Sequence, residues 1–563
     1  MKFIICYASY LLIMLLFEDC HKSSNGAQME PVVPTNFNLI TYDIDGSVEP
    51  TNLYNYSVTP IIKFKFSAAI SRQTIGASIL LNDAISGSVI SCSISFQNED
   101  SVVVLQPSSS LKNLSKYTAS VATSLKSISG GSLSSSSSIT FFTKIDSINK
   151  FSTISDSALL DLVQKQTFKY FWEFGHPICG MALERNNGDN NVVTSGGSGF
   201  GIMAMIVATN RGFITRSAAV ARLNTITDFL TTKCQRWHGA FSHWINGNTG
   251  ATVFFGNNDG ADIVETSYLM QGLLCARQYF NSSTDPNEKV LRDSINSIWN
   301  SVDWVWFTQN GAQKSIYWQY NPSFTAPSDI WSIPVSGWNE ALITYVLAAA
   351  SPTHAISKQV YDIGWANNGA IKNGTGYYGY NLPLGPSFGG PLFFSHYSFL
   401  GINPNGLTDA YADYSVQTKN HTYINYNYCK ANPKNYYGYS ANCWGLTASD
   451  ISGGYTASSP TNDVSVIAPT AAISSIPYTP LESMAALKYF YYTLGDKIWG
   501  TYGFSDAFSL QNLWYAGSYL AIDQGPIIIM IENYRSGLLW NLFTGCPEVK
   551  SGMHNLGFNA PYL

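Results

Sequence analysis

Charge is scarce in this chain. Only 12% of the residues are Asp, Glu, Lys or Arg, the net charge is −5, and no long basic run occurs. A nucleic-acid partner needs a concentrated positive surface, so that class of function is excluded. Metal-binding patterns are missing too: none of the nine cysteines forms a CxxC, and the eight histidines form no HExxH. The spacing argues against zinc and a catalytic metal, and no cofactor is expected. The glycine-rich segment SGGSGFG at 195–201 has no strand before it, and Ile202 stands where the last glycine of a dinucleotide loop would be. Nucleotide binding there is rejected. The leading apolar run, Phe3 to Phe17, is too short to cross a bilayer comfortably.

That run follows Lys2 and reads as an export signal over residues 1–20. Cys20 sits where a bacterial lipoprotein signal is cut, but Phe17-Glu18-Asp19 depart from the small-residue pattern. Export is therefore the expectation, with a lipid anchor at Cys20 as the only membrane attachment the sequence offers. No acidic run follows Cys20, so the periplasm is the default and an outer-membrane anchor the alternative. Export also makes a disulfide between Cys429 and Cys443 available.

With 563 residues the chain is too long for one ordinary core. Residues 30–145 are strand-like. Ile62-Lys63-Phe64-Lys65-Phe66-Ser67 alternates apolar and polar, Val102 to Leu105 is continuously apolar as in a strand buried on both faces, and Ile139 to Phe142 is β-branched and aromatic. Turn clusters such as SISGGS at 127–132 separate them, which reads as a β-sandwich of roughly 100 residues. The segments PIIKFKFSAAI, VVVLQPSSSLKNLSKYTASV and SITFFTKI resemble the bacterial Ig-like domain, which implies a spacer or docking role. Residues 146–156 read as a linker.

From Ser157 to the end the period becomes helical: Leu159, Leu160, Leu162, Val163, Thr167, Phe168, Phe171 and Trp172 recur at helix spacing. Further helices are expected at 201–210, 217–231, 262–280, 293–307, 340–350, 479–494, 513–522 and 526–544. The segments GIMAMIVA, ALITYVLAAA and PIIIMIENY are apolar on every face and therefore buried. Helices alternating with glycine- and aromatic-rich loops over 157–563 fit an all-α (α/α)6 toroid, in which the inner helices gather their N-termini on one face.

Acids stand where these buried helices begin. Asp262-x-x-Glu265 before an apolar run is close to a capping box, with Asp262 as cap and Glu265 reaching back. Glu340 falls in the first turn of its helix, and Asp523 comes just before Pro526, which is placed to open another. Complementing the helix dipole, worth about 0.3–1 kcal/mol, explains any one of them. It does not explain acids before the most buried helices, where a carboxylate costs desolvation unless a ligand or partner uses it. Aromatics reach 14%, a load that suits stacking on neutral sugars although most rings would serve the core. Arg185, Trp237, His243, Trp318, His396 and Trp514 lie in the loops expected at the same end. Glu532, mid-helix beside Arg535, reads as half of a buried structural pair.

Seven segments in order carry a family resemblance: FWEF at 171–174, ALERNN at 182–187, TSGGSGFGIMAMIVATNRG at 194–212, DIVETSYLMQGLLCARQYF at 262–280, GWNEALITYVLA at 337–348, PLFFSHYSFLG at 391–401 and AIDQGPIIIMIENYRSGLLW at 521–540. They resemble the glucoamylase-like family of exported Bacteroidetes proteins, glycoside hydrolase family 144. The resemblance implies the (α/α)6 toroid, an inverting mechanism and β-1,2-glucan cut internally to short sophoro-oligosaccharides. Endo and exo action stay open, because related members differ in the loops that wall the cleft. The resemblance places Asp262, Glu265, Glu340 and Asp523 in the cleft, with Asp259 as a weaker candidate. Inversion pairs a protonated carboxyl with a carboxylate roughly 6.5–9.5 Å away that activates water. Glu340 is assigned as the acid and Asp523 as the base, with Asp262 and Glu265 on the sugar hydroxyls. Two rivals remain: a polysaccharide lyase, which favours a basic cleft with Tyr and His as base and acid, and a non-catalytic glycan-binding lipoprotein. A monomer acting on a saccharide is expected.

Overall fold

The computed structural model describes residues 35–563; the leader at 1–20, with Cys6 and Cys20, and the polar stretch after it lie outside the described residues. The chain divides into two compact units, the first ending at Ile145 and the second running from Asp146 to Leu563.

Alternating side chains build the first unit. Its strands are β1 (Leu39–Ile44), β2 (Ser47–Val48), β3 (Ile62–Phe66), β4 (Ile79–Asp83), β5 (Cys92–Gln97), β6 (Val102–Pro107), β7 (Lys116–Val121) and β8 (Ser137–Phe142). They pair antiparallel in two sheets, ordered β2-β1-β3-β6-β5 and β4-β7-β8. In β3 the apolar positions Ile62, Phe64 and Phe66 are buried while Lys65 is exposed. β6 lies between β3 and β5 and buries Val102 through Leu105, which accounts for the unbroken apolar run. Phe64, Leu81, Ala119 and Phe141, drawn from both sheets, share one core.

The second unit is mainly helical. Its principal helices are α1 (Asp156–Trp172), α2 (Ser195–Asn210), α3 (Arg216–Thr232), α4 (Ile263–Tyr279), α5 (Pro286–Ser301), α6 (Leu342–Ala350), α7 (Tyr414–Ala431), α8 (Pro480–Lys488), α9 (Ala521–Ser536) and α10 (Pro547–Leu556). The helices read as apolar on every face are central: α2 packs against both α4 and α9, and α6 against α4 and α10. Strands here are short pairs within the connections, such as Ala448–Ile451 with Gly454–Ala457.

The structure departs from the periodicity in several places. Residues 146–156 are fastened to the helical unit: Lys150 N–H donates to the Tyr492 carbonyl at 2.7 Å, and Phe151 stacks on Tyr491 at 4.6 Å. The helix expected at 293–307 begins earlier, because Asp285 caps it and Pro286 opens it. No helix forms at 513–522: Leu513 is left-handed at φ 51°, and Trp514–Tyr515 pairs as a strand with Phe508–Ser509. α9 starts at Ala521, so Pro526 lies inside it and Asp523 falls in its first turn. α7 was not anticipated. Its tyrosines and asparagines hide the apolar stripe, yet it buries Tyr414, Ile424 and Tyr428.

Candidate active site

Asp262 ends a two-residue strand, Ala261–Asp262, paired with Gln319–Tyr320. Its Oδ1 accepts the N–H groups of Val264 and Glu265 at 3.1 and 3.0 Å, so the cap on α4 is real. Its Oδ2 accepts from His243 Nδ1 at 3.0 Å and Gln319 Nε2 at 3.4 Å. Asp262 is thus heavily engaged by the protein itself. Glu265 does not reach back to complete a capping box. It crosses to the start of α2, where Oε2 accepts Gly196 N–H at 2.9 Å and the Thr194 hydroxyl at 3.5 Å. A Cβ on residue 196 would lie 2.2 Å from that oxygen. The glycine-rich segment therefore binds an anion, but the anion is the protein's own carboxylate at a helix N-terminus.

Glu340 stands in the turn just before α6 rather than in the helix. Its carbonyl accepts the hydroxyls of Tyr268, at 3.3 Å, and Ser398. Burial, aided by the charges of Glu265 and Asp262, pushes its carboxyl up to about 7 against the opposing pull of its own backbone N–H. Burial likewise raises Glu265, with His243 resisting. Burial disfavours the His243 cation, but Glu265 and Asp262 outweigh it and hold the imidazole above its usual value. Phe255 stacks on that ring at 3.8 Å.

His243, Asp262, Glu265, Trp318 and Glu340 line one cavity of about 350 Å³, walled also by Phe255, Phe393, Tyr397 and Tyr455. No Lys or Arg lines it. Asp523 is buried within electrostatic reach of the wall residues Tyr397 and Tyr455, and Ile522 before it lines the cavity. Burial, then the neighbouring Asp506, pushes Asp523 well above the usual carboxylate range. Arg185 and Trp514 are not in this cavity. They line a neighbouring one of about 530 Å³ with Asn187 and Asp450, and Tyr455 belongs to both walls.

Three candidates are placed elsewhere. His396 is buried on Ser475 at 2.9 Å, and burial with the nearby His421 takes it down to about 3, so it is a neutral core imidazole. Asp259 accepts Ser323 N–H at 3.1 Å and so ties its loop to the one that follows the Gln319–Tyr320 strand. Trp237 packs against the helical core. Cys429 and Cys443 are both free buried thiols rather than a disulfide. Glu532 is indeed a buried structural ion pair, but its partner is Arg211, at 2.7 and 2.9 Å, while Arg535 binds Asp161. Sequence reasoning missed Tyr268, Tyr455, Asp450 and Asp506. The Gly453-Gly454 turn before Tyr455 was the one available signal.

A half-buried acid of raised pKa among carboxylates at helix openings, walled by aromatic rings, is equipment of the kind that glycosidic-bond cleavage uses. Comparison with known proteins agrees. The family described as "Putative glucoamylase" matches residues 332–547, and "Bacterial Ig-like domain" matches residues 46–143. The chain belongs to this glucoamylase-like family, with a bacterial Ig-like domain in front. It is 44% identical over 426 residues to an exo beta-1,2-glucooligosaccharide sophorohydrolase (non-reducing end) of Parabacteroides distasonis, covering 72% of this chain and 58% of that protein. The chain therefore spans under two thirds of that relative. An endo-beta-1,2-glucanase from Chitinophaga pinensis, solved with sophorotriose and glucose, is 48% identical with a TM-score of 0.70, covering 73% of this chain and all of that one. A beta-1,2-glucanase structure from Parabacteroides distasonis is 35% identical with a TM-score of 0.69, covering 93% of this chain and 73% of that one.

Proposed function

We propose that this chain is an exported, monomeric hydrolase of β-1,2-glucan that works with inversion, its helical unit forming an (α/α)6 toroid. The observation that carries the reading is Glu340, a half-buried carboxyl on the wall of a cavity shared with Asp262 and Glu265, with its pKa pushed up to about 7. The names of the relatives, both endo- and exo-acting on β-1,2-linked glucose, support the substrate class. Glu340 protonates the leaving glycosidic oxygen, and Asp523 takes the proton of the attacking water. Trp318, Phe393 and Tyr397 offer apolar faces to the sugar rings. A lyase favours a basic cleft to hold a uronate, and no Lys or Arg lines this cavity.

Endo action is favoured because the cavity adjoins a second one across Tyr455, lined by Arg185, Asn187 and Trp514, so a chain has room to continue beyond one sugar. Exo action is the second reading, prompted by the sophorohydrolase relative. Incubation with linear β-1,2-glucan, with products followed by chromatography, decides between them. A spread of short oligosaccharides from the first time points is expected. A single disaccharide from the outset keeps the hydrolase and makes it exo-acting. No product from any glucan, with oligosaccharide still bound, overturns catalysis in favour of a binding protein.

A further inference from the structure

Tyr455 is a large side chain that the packing leaves over. It is 48% exposed and stands outside the helical core. Among the described residues its hydroxyl makes no hydrogen bond and its ring stacks on no other ring. The other tyrosines of the cavity wall are held: Tyr397 stacks on Phe393 at 5.2 Å, and the Tyr268 hydroxyl donates to the Glu340 carbonyl at 3.3 Å. The hairpin of Ala448–Ile451 and Gly454–Ala457 stands between the two cavities. Ala448 and Ala457 line the first, while Asp450, Ile451, Gly453 and Gly454 line the second. Tyr455 is the one described residue that both walls share.

The partition itself is fixed. Asp450 lies directly opposite Tyr455 in the hairpin register. Arg185 Nη1 donates to both oxygens of Asp450, at 3.1 and 3.2 Å, and the Ser518 hydroxyl donates to Oδ2. Asp450 N–H donates in turn to Asp506 Oδ2 at 2.6 Å. On the second strand, Asn462 Nδ2 donates to Thr456 Oγ1 at 3.2 Å and to the Ala457 carbonyl at 3.0 Å. Ile451 packs on the apolar cluster of Val466, Ala468 and Ala507. Charge-assisted bonds of this kind hold a strand in one place, so the ring opposite Asp450 is presented rather than left to fold away. Arg185 belongs to this clamp, with its Nε donating to Glu184 at 2.9 Å. A saccharide chain too long for the first cavity has to cross the partition, and an open tyrosine ring is what it meets there. The flat face suits the C–H face of a pyranose, and the hydroxyl suits its rim.

We propose that Tyr455 determines chain-length specificity: its ring is the platform on which a β-1,2-glucan chain passes from the catalytic cavity into the neighbouring one. This rests on the first cavity being the site of the proposed hydrolysis. Longer substrates lie across the ring and reach Trp514 beyond it, whereas the shortest end before the crossing. Binding energy gained away from the reacting bond then raises kcat/KM with length.

The test uses β-1,2-linked gluco-oligosaccharides of graded length. In wild type kcat/KM is expected to rise with length until the chain fills the second cavity, and then to level off. Tyr455→Ala should lower the ratio of kcat/KM on the longest to that on the shortest cleaved substrate by about tenfold, the scale of one lost stacking contact with its buried area. Tyr455→Phe keeps the ring and should hold that ratio within about threefold of wild type. A wild-type kcat/KM that is flat with length, an unmoved ratio in the Ala variant, or a Phe variant as impaired as Ala overturns the proposal. Should the Ala variant not fold, Tyr455→Leu, which keeps bulk without a flat face, is read in its place with the same expectation. A second readout needs no turnover. Calorimetric titration with the longest oligosaccharide should give a dissociation constant about tenfold weaker in Tyr455→Ala than in wild type. If wild type cleaves no β-1,2-glucan, the hydrolase reading fails while the titration still decides the platform: tenfold weakening upholds it, and an equal constant or no binding overturns it.

Discussion

Glu340 joins the chemistry of the site to the pH dependence of the whole protein. In the proposed role of acid it must be protonated, so activity should fall as pH rises through about 7. Glu340→Gln should lower kcat on β-1,2-glucan by about 10²–10⁴-fold with the fold intact. The same shift has a stability consequence. The folded protein holds this proton more tightly than the unfolded chain, whose Glu titrates at 4.5, so the stabilisation is complete below that value and is lost as pH rises through about 7. The Gln variant has nothing to ionise. Its melting temperature should exceed that of wild type at alkaline pH and converge with it in acid, as calorimetry across the pH range will show. Equal melting temperatures at alkaline pH would place the Glu340 carboxyl in solvent instead.

At the level of elements, the contact of α2 with α4 sets where the acids stand. A Cβ on Gly199 would lie 2.1 Å from the Tyr268 carbonyl, and one on Gly272 would lie 2.2 Å from the Gly199 carbonyl. The two helices cross backbone to backbone, which only glycine permits. Gly199→Ala should cost about 3 kcal/mol and lower the melting temperature by ~5–10 °C, since the obstacle is main chain and cannot swing aside. Gly196→Ala should behave differently. Its added methyl meets the Glu265 carboxylate, which can move. We expect a small change in melting temperature but a loss of ~10–100-fold in kcat/KM on β-1,2-oligosaccharides, from a displaced charge beside His243 and Asp262. If thermal melts rank the two variants the other way round, Gly196 and not Gly199 marks the tight crossing.

At the scale of the molecule, the two units have separate cores, one shared by the strands of the first and one by the helices of the second. Every residue lining the cavity lies within the second unit. A chain beginning at Asp146 should therefore fold and hydrolyse soluble β-1,2-oligosaccharides with kcat/KM within about twofold of the full chain, because a domain with its own core can fold alone. A tenfold loss in that assay would assign part of the site to the Ig-like domain. The solved Chitinophaga pinensis relative, matched over its whole length by 73% of this chain, has the extent such a truncation would leave.

Much of this architecture is written locally. Alternation in β3, the unbroken apolar run in β6, the all-apolar helices and the Asp262 cap each depend on residues within a few positions of one another, and steric and hydrogen-bonding rules act at that range. The same local signals put acids before buried helices and so pointed to Glu340, Asp262, Glu265 and Asp523. They could not tell which acid binds what. Glu265 answers to Gly196 and not to its own cap, Asp262 to His243, and Asp506 to Asp450, a residue on another element. His396 looked equal to His243 in sequence, yet one is a core ring whose pKa burial lowers and the other bonds Asp262 on the cavity wall, with its pKa held above the usual value. Arg185 and Trp514 were sorted into the adjoining cavity only by where their loops come to rest. Propensity and capping are short-range and survive in a linear reading. The ionisation of a buried carboxyl depends on desolvation and on partners brought together by packing, and that is settled only when the helices close on one another.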